Sequence, residues 1–428
     1  MNLQQILDIV KTANCEDYIV NETNAYNTEM FVIDSKVDMT RVKTNTSYSV
    51  TVFVDTINGE TKFRGSASTI IAVTASIEEA KKAIDDCCLA ASYIKDRYYG
   101  MPEKLMSVNM AEGSDDHEAR LKQVADALLN VKCKENEKIN SFEVFVKDTE
   151  IHMVTSSGSD VRYHNKENQI EVIVNVGNEE HEIEIYYDDT FTLKSTEELT
   201  KDIEVQLQRG QDRMNAKPNN VVCDNIIISD KNVDGFGNYY AFKTNVQALY
   251  MGAVATKIGD SVYREEVLGD KITYKTYRNL DGAGNNAPCD GVGLASKDAV
   301  ILEDGVCRNY IGSYRFGYYL NQACLPTIHT EFCGGKYTEA ELKKEPYLEC
   351  VEFSDFQVDS FTGNFAGELR LGYYFDGETI TPVSGGSISG QLSKLEKELY
   401  FSKETVRYNN HVMPKCVLIK HASIAHVE

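Results

Sequence analysis

The sequence predicts an α+β fold, in which two α/β subdomains with mixed or antiparallel sheets precede a β-rich C-terminal domain. Two capping boxes, each a serine followed three residues later by a glutamate, predict helices that begin after Ser76 and Ser195. Alternating apolar and polar residues lie between these helices and predict strands. The expected domains are residues 1–110, 111–217 and 218–428, with Pro218 near the last boundary.

The first subdomain is expected to begin with a helix over residues 3–13. Four apolar residues share one face of it: Leu3, Ile6, Leu7 and Val10. Strands follow from residue 18 to residue 71, and Asn58-Gly59 predicts a two-residue hairpin turn. The capped helix after Ser76 should extend to about Lys95 and bury Cys87 and Cys88 in the core.

The second subdomain is expected to follow a linker at residues 100–113. Apolar spacing from Leu121 to Val131 predicts a helix. A β-meander follows, with four predicted strand segments: 142–146, 151–154, 170–176 and 183–187. Gly177-Asn178 predicts a tight turn before the last of them, and the helix after Ser195 should reach about Met214.

The C-terminal domain should contain short strands, tight turns and few helices. Hairpin turns are predicted at Asp304-Gly305 and Asp376-Gly377. The other predicted elements are strands at 221–229 and 412–419, helices at 245–257, 310–320 and 392–398, and a glycine- and asparagine-rich loop at 281–293.

Composition narrows the classes of function. The 428 residues carry a formal net charge of −22, and no cluster of lysine and arginine stands out, so direct nucleic-acid binding is disfavoured. The first residues lack a basic region before an apolar one, and no apolar run is long enough for a membrane span. Eleven scattered cysteines indicate reduced thiols. We therefore expect a soluble, cytoplasmic protein that contacts neither membrane nor nucleic acid.

Two stretches in the C-terminal half and one near the N-terminus resemble the TldD/PmbA family, known as modulators of DNA gyrase. In the most specific stretch the matching residues are Thr362, Gly363, Asn364, Phe365, Asp376, Gly377, Glu378, Pro382, Val383, Ser387, Ile388, Gly390, Gln391 and Leu392. The segment from Ile301 to Tyr314 and the first β-hairpin, which ends at Arg64-Gly65-Ser66-Ala67, also resemble the family. This resemblance implies that the C-terminal domain has the TldD/PmbA fold.

The resemblance also implies one of two kinds of chain. TldD-like members carry H-E-x-x-x-H on a helix, in which two histidines bind zinc and the glutamate can deprotonate a zinc-bound water. PmbA-like members, also called TldE, lack these ligands and pair with a TldD-like chain. Here Tyr250 and Ala255 occupy the positions of the two histidines, Met251 occupies the position of the glutamate, and no histidine lies between His181 and His329. The resemblance therefore implies a PmbA/TldE-like chain with no catalytic residue and no cofactor, with zinc only in the partner.

Two groups of cysteine and histidine residues remain as weak metal candidates. Cys324, His329 and Cys333 form one group, and Cys416, His421 and His426, near His411, form the other. Neither spacing is typical of a metal site, so buried thiols and exposed imidazoles are the preferred interpretation. His181-Glu182 begins like a metalloprotease motif but lies in a run that alternates as a strand.

Three hypotheses for the function follow. The favoured one is a non-metal subunit that pairs with a TldD-like chain, or with itself, and helps to enclose a chamber for unfolded or short peptides. The second is an independent metal-dependent hydrolase that uses the cysteine and histidine groups. The third is a homo-oligomeric peptide-binding protein without enzymatic activity.

Overall fold

The computed structural model describes residues 1–105, 116–178 and 180–426. The predicted boundary at residue 110 and most of the predicted linker at 100–113 lie outside the described residues. The elements of the N-terminal half are α1 (Leu3–Val10), β1 (Asp17–Ile33), β2 (Lys36–Asn58), β3 (Thr61–Ala72), α2 (Ile77–Ser92), β4 (Asp96–Arg97), α3 (His117–Leu129), β5 (Glu137–Thr155), β6 (Asp160–Asn178), β7 (His181–Phe191) and α4 (Thr196–Met214).

One antiparallel sheet runs through the whole N-terminal half. Its seven strands have the order β4-β3-β2-β1-β5-β6-β7. β1 pairs with β5 from Ile19 opposite Thr155 to Ile33 opposite Ser141, so the two predicted subdomains share a continuous sheet. α1 and α2 pack around Val20 of β1, and α3 and α4 pack near Val32 of the same strand. Both helix pairs cover one face, because residues an even number apart on a strand point the same way.

The capping boxes predicted from the sequence are confirmed. The Ser76 hydroxyl accepts a hydrogen bond from the Glu79 amide at 3.2 Å, and the Glu79 carboxylate accepts one from the Ser76 amide at 2.8 Å. Ser195 and Glu198 repeat this arrangement at the start of α4. Each box satisfies two amides that the first helical turn would otherwise leave without partners.

Three of the predicted turns and strands need correction. The segments expected at 142–146 and 151–154 are one strand, β5, because β1 and β6 hold its polar middle extended from both sides. The turn after β2 is Gly59-Glu60, since Asn58 still pairs with Thr61. Gly177 and Asn178 both belong to β6, and residue 179 after them lies outside the described residues.

The C-terminal half is richer in short strands. Its elements are β8 (Lys217–Pro218), β9 (Asn225–Ser229), a 3₁₀ turn (Asp230–Val233), α5 (Asp234–Phe242), α6 (Val246–Tyr250), β10 (Tyr274–Tyr277), β11 (Ala299–Glu303), β12 (Val306–Cys307), β13 (Tyr310–Ile311), α7 (Tyr314–Leu320), β14 (Cys324–Leu325), β15 (His329–Phe332), α8 (Glu339–Leu342), β16 (Tyr347–Val358), β17 (Asn364–Phe375), β18 (Ile380–Ser384), β19 (Ser387–Gln391), α9 (Leu392–Leu395), a second 3₁₀ turn (Glu396–Glu398), β20 (Leu399–Phe401), β21 (Thr405–Tyr408), β22 (His411–Pro414), β23 (Cys416–Lys420) and β24 (Ser423–Ala425).

Two large sheets build this half. A six-stranded sheet has the order β12-β11-β10-β15-β22-β21. A nine-stranded sheet has the path β20-β23-β9-β16-β17-β18-β8, with β19 and β24 attached beside β17. α5 lies in the core with them, where Phe236 and Tyr240 are fully buried. The β-rich C-terminal domain expected from the sequence is confirmed.

The local predictions for this half are only partly correct. Asp304 and Gly305, at φ +47° and +76°, form the predicted two-residue turn between β11 and β12. The turn at Asp376 is longer than predicted, with four residues between β17 and β18. The predicted strand at 412–419 is split into β22 and β23, which belong to different sheets. The helix predicted over 245–257 ends at Tyr250, and α5 was not predicted.

The residues around the predicted boundary at 217–218 pair with the C-terminal sheet. Lys217 and Pro218 form the edge strand β8, which pairs in parallel with Val383 and Ser384 of β18. The Asn219 amide continues this contact by donating to the Ser384 carbonyl at 2.9 Å. The chain therefore joins the C-terminal sheet as soon as it leaves α4. Within the described ranges, no helix is long and apolar enough to cross a membrane.

Candidate functional site

Helix α6 ends at the position where the family resemblance places a zinc motif. The Asn245 side chain caps its start by accepting a hydrogen bond from the Ala248 amide at 3.3 Å. Gly252 ends it with φ +72°, a conformation that glycine adopts without steric cost. The amides of Gly252 and Ala253 then donate to the carbonyls of Leu249 and Ala248, at 3.1 and 2.9 Å. This is the Schellman pattern, so the chain cannot continue as a helix through residue 255.

The three residues that match the zinc motif do not fit a zinc ion. Tyr250 closes α6, and its ring lies 5.5 Å from that of Phe316 and 5.1 Å from that of Tyr319, centroid to centroid. Met251 is 71% exposed, and Ala255 is an exposed residue of the irregular segment after the helix. A phenol, a thioether and a methyl group cannot replace two imidazoles and a carboxylate.

Helix α7 connects this position to the N-terminal half. The Tyr319 hydroxyl donates to the Arg97 carbonyl at 2.5 Å, and the Tyr314 hydroxyl donates to the Met101 carbonyl at 2.9 Å. Two pairs of rings also meet edge-on: Tyr98 with Tyr318, and Tyr99 with Tyr319. We call this contact between α7 and residues 96–101 the tyrosine junction.

A buried arginine supports the tyrosine junction from the sheet. Arg64 of β3 has a side chain that is 1% exposed. Its guanidinium donates to Asp55 at 2.6 and 3.0 Å and to Asp17 at 2.7 Å. The same guanidinium lies over the rings of Tyr98 and Tyr99, at 4.8 and 5.9 Å from their centroids. The charge is therefore paired on one side and covered by aromatic rings on the other.

The glycine-rich loop at 281–293 forms a second contact between the two halves. The Asn165 side chain donates to Asn285 at 2.7 Å and accepts from the Asn286 amide at 3.0 Å. Cys289 of the loop packs into a cluster on the face of the seven-stranded sheet that the helices leave free, with Ile19, Phe53, Met153 and Val161. This loop therefore packs between the two halves. Among the described elements, no helix begins directly after its glycines, as a phosphate-binding loop would require.

The first group of metal candidates is dispersed. Cys324 is buried and donates to the Gly312 carbonyl at 3.6 Å. His329 is fully buried and its Nε2 contacts the Asn285 carbonyl. Burial lowers the pKa of His329, and burial raises the pKa of the Cys324 thiol to about 11. Burial together with the charge of Glu331 raises the pKa of the Cys333 thiol to about 11.

The C-terminal group is equally scattered. Cys416 is fully buried in β23, and burial raises the pKa of its thiol to about 12. His421 is exposed, with Nδ1 3.6 Å from an Asp224 oxygen. Nε2 of His426 lies 2.8 Å from the Val221 carbonyl, and His411 contacts the Thr330 hydroxyl at 2.6 Å. Across residues 1–105, 116–178 and 180–426, no three histidine, cysteine or acidic side chains are arranged to hold a metal ion.

Sequence reasoning missed a buried ion pair and the tyrosine junction. Lys243 lies 3.6 Å from Glu396, and its ammonium sits over the Tyr239 ring at 4.4 Å. Burial raises the pKa of Glu396 and lowers the pKa of Lys243. The density of tyrosine at residues 98–99 and 314–319 was the available signal for the junction. It could not show which rings meet, because the two segments are far apart in the chain.

Comparison with protein families identifies the C-terminal half. Residues 225–426 match the family model described as the PmbA/TldA metallopeptidase C-terminal domain. The match includes α6, the tyrosine residues of α7 and the β17–β18 hairpin. A sequence relative is an uncharacterized protein of Methanocaldococcus jannaschii, 26% identical over 146 residues. The aligned part covers 31% of this chain and 35% of that protein, so the chain spans about a third of the length of that relative.

Solved structures resemble the whole chain. TldE from Thermococcus kodakarensis superimposes with a TM-score of 0.78 at 12% identity, covering 99% of both chains. A candidate modulator of DNA gyrase from Bacteroides thetaiotaomicron gives 0.74 at 17% identity, covering 99% of this chain and 98% of that one. Another from Thermotoga maritima gives 0.74 at 12% identity, covering 96% of each. These likenesses establish the fold of the whole chain, and the family match establishes residues 225–426 as similar to the PmbA/TldA metallopeptidase C-terminal domain.

Proposed function

We propose that this chain is a PmbA/TldE-like subunit that holds no zinc of its own and acts in peptide proteolysis together with a TldD-like zinc subunit. The observation that carries the proposal is that α6 ends at Tyr250, so that Met251 and Ala255, which the sequence resemblance aligns with the rest of H-E-x-x-x-H, lie beyond the helix and offer no zinc ligand. The fold of the peptidase is retained while the residues of its chemistry are gone. The likeness in fold to a protein named TldE supports this assignment.

In this proposal the chain contributes walls and binding surface to a chamber shared with the zinc subunit. Residues 353–358 of β16 pair with β17, whereas β9 pairs only with residues 348–350 on the other side of β16. Such a strand offers main-chain groups to an extended, unfolded or short peptide by β-addition. The zinc subunit would supply the activated water, and this chain would position the peptide.

The proposed setting is the reducing cytoplasm. All eleven cysteines are free thiols. The net charge of −22 supports a role that does not involve direct contact with DNA, since phosphate backbones repel such a surface. The proposed role therefore includes no direct action on DNA, although related proteins are named modulators of DNA gyrase.

One experiment distinguishes the proposal from the two other hypotheses, an independent hydrolase and a homo-oligomeric binding protein. An independent hydrolase would need a metal at Cys324, His329 and Cys333 or at the C-terminal histidines, and these side chains do not converge. A homo-oligomeric binding protein would keep the fold and bind peptides without cleaving them.

The experiment is purification without chelators or affinity tags, alone and after co-expression with a TldD-like chain from the same genome. Metal is counted by mass spectrometry, and cleavage is followed on an unfolded peptide. We expect no zinc and no cleavage for the chain alone, and co-purification, zinc and cleavage for the pair. Stoichiometric zinc in the lone chain, lost in a His329→Ala variant, would overturn the proposal in favour of the hydrolase. A stable homodimer that ignores the TldD-like chain would favour the binding protein.

A further inference from the structure

The outer edge of β2 is unpaired over the first half of the strand. Residues 36–46 pair with β1 on one side, from Lys36 opposite Ile33 to Thr46 opposite Asn24. On the other side β3 begins to pair only at Ser47, and no other described strand lies beside β2. We call residues 36–46 the open edge. Every second residue of such an edge directs its amide and carbonyl away from β1, where they can pair with another strand.

The open edge is basic, although the chain as a whole is strongly acidic. It carries three cations, Lys36, Arg41 and Lys43, and one acid, Asp38, in a chain with a net charge of −22. Arg41 and Lys43 both donate to the carboxylate of Glu29, at 2.6 and 2.7 Å. One carboxylate balances only one of these two cations, and their side chains remain 45% and 47% exposed. A positive charge is therefore left to attract a partner.

The side chains of the open edge alternate between the two faces of the sheet. Arg41 and Lys43 lie two residues apart and therefore share a face. Val42 lies between them on the opposite face and is 57% exposed. An antiparallel strand beside this edge would place one of its own residues directly opposite each of the three. Carboxylates opposite Arg41 and Lys43, with an apolar residue opposite Val42, would complement them in charge and polarity.

We infer that the open edge binds an extended peptide segment as an additional antiparallel strand, and that this segment carries two acidic residues separated by one apolar residue. Main-chain hydrogen bonds hold the segment, and ion pairs with Arg41 and Lys43 select it. The net charge of the chain opposes an acidic ligand at long range, but physiological salt screens exposed charges beyond about 8 Å, and a direct ion pair is shorter.

This inference names a class of unfolded peptide, and its place in proteolysis rests on the proposed function. The binding itself needs only this chain, so it can be measured without a zinc subunit. A complex with a zinc subunit that cleaves peptides, while this chain ignores the acidic peptide, would overturn only the inference. Binding of the acidic peptide without any cleavage by the pair would overturn only the proposed function.

The test measures the fluorescence anisotropy of a labelled synthetic peptide, Glu-Val-Glu flanked by threonines, with the full-length protein. We expect saturable binding of one peptide per chain. A Lys-Val-Lys peptide should bind at least about tenfold more weakly, because two attractions become two repulsions. Lys43→Gln should weaken binding of the acidic peptide about two- to fivefold, the effect of one exposed ion pair. The matched control is Lys81→Gln on α2, an exposed lysine that lies 2.7 Å from Asp85.

Methylation of the peptide amides separates strand addition from simple charge attraction. One version of the peptide carries methyl groups on its odd-numbered amides and another on its even-numbered amides. A strand added to an edge uses only one of these sets, so one version should bind and the other should fail. The inference is wrong if the wild type shows no saturable binding or if the two versions bind equally. It is also wrong if Lys43→Gln binds as tightly as the wild type, as it would if the peptide were added to β16.

Discussion

The Tyr250 ring lies 5.1 Å from the Tyr319 ring, centroid to centroid, at an angle of 43° between the ring planes. The Tyr319 hydroxyl in turn donates to the Arg97 carbonyl at 2.5 Å. The last residue of α6, which the sequence resemblance aligns with a zinc ligand, is thus connected through one side chain to the N-terminal sheet. If that alignment is correct, an aromatic packing contact occupies the position of a zinc ligand.

Restoring the zinc ligands alone should not restore a zinc site. The triple variant Tyr250→His, Met251→Glu, Ala255→His provides the missing side chains, but Gly252 still ends the helix and sends residue 255 away from its axis. We expect no stoichiometric zinc after dialysis, measured by mass spectrometry on the folded protein. One bound zinc per chain would show that the backbone readily becomes helical through residue 255. Adding Gly252→Ala to the triple variant removes the glycine that ends the helix, and so tests whether this helix end is what prevents a zinc site.

The pH dependence of stability should include a contribution from His329. Burial lowers its pKa in the folded chain, so the unfolded chain takes up the proton first as the pH falls. The free energy of unfolding should therefore decrease as the pH falls through about 6.5, by at most about 1.4 kcal/mol per pH unit for one proton. His329→Gln removes the titration and keeps a donor for the Asn285 carbonyl, so its stability should fall less steeply from about pH 7 to 5.

Urea unfolding at a series of pH values measures this effect. The matched control is His421→Gln, which removes a histidine whose side chain is 62% exposed and should leave the slope of the wild type unchanged. A His329→Gln protein with the wild-type slope would mean that other groups dominate the acid sensitivity.

The elements that the sequence predicted well are those decided by neighbouring residues. The capping boxes at Ser76 and Ser195 set helix starts, and Asp304-Gly305 sets a hairpin, because the hydrogen bonds and positive φ angles involved lie within four residues. The continuous strand β5 could not be predicted, because its polar middle is kept extended by β1 and β6. That pairing depends on residues far away in the chain.

The same division applies to the candidate site. The identities of Tyr250, Met251 and Ala255 are readable from the sequence, because a ligand is a property of one residue, and their alignment with the zinc motif stays a prediction. The early end of α6 was not predicted, although Gly252 carries the signal, since a glycine within an apolar run often continues a helix. The tyrosine junction was beyond reach because it joins segments more than two hundred residues apart.

Arg64 should be among the most costly residues of the N-terminal half to replace. Replacing it by methionine leaves the Asp55 carboxylate without its main partner. The Asp55 side chain is only 6% exposed, so water cannot readily take the place of the guanidinium. Removing one partner of a buried pair costs about 3–5 kcal/mol, so Arg64→Met should lower the free energy of unfolding by that amount. Thermal or urea denaturation measures it.

Lys62 gives the matched control for Arg64. Its ammonium lies 2.9 Å from the same Asp55 carboxylate, but its side chain is 46% exposed. Lys62→Met should therefore cost less than about 1 kcal/mol. Equal losses for the two variants would contradict the view that burial makes the Arg64 pair important.

Substitutions in the turns at the two ends of β2 should change the stability of the protein in opposite directions. The β1–β2 turn is Asp34-Ser35, and both residues have positive φ, +46° and +60°, although neither is glycine. A left-handed conformation costs a residue with a Cβ about 1–2 kcal/mol, and a glycine avoids this cost. Part of the benefit is lost, because glycine gives the unfolded chain more conformational entropy. Ser35→Gly should therefore stabilise the protein by about 0.5–1 kcal/mol.

The β2–β3 turn reverses the sign. Gly59 has φ +63°, and a Cβ added there would meet no atom within 4 Å, so only the backbone opposes a side chain. Gly59→Ala should destabilise the protein by about 1 kcal/mol, measured by urea unfolding alongside Ser35→Gly. The two turns flank the same strand, so a general change in β2 would move both variants in one direction. Opposite shifts would show that the cost lies in the φ angle of the single turn residue.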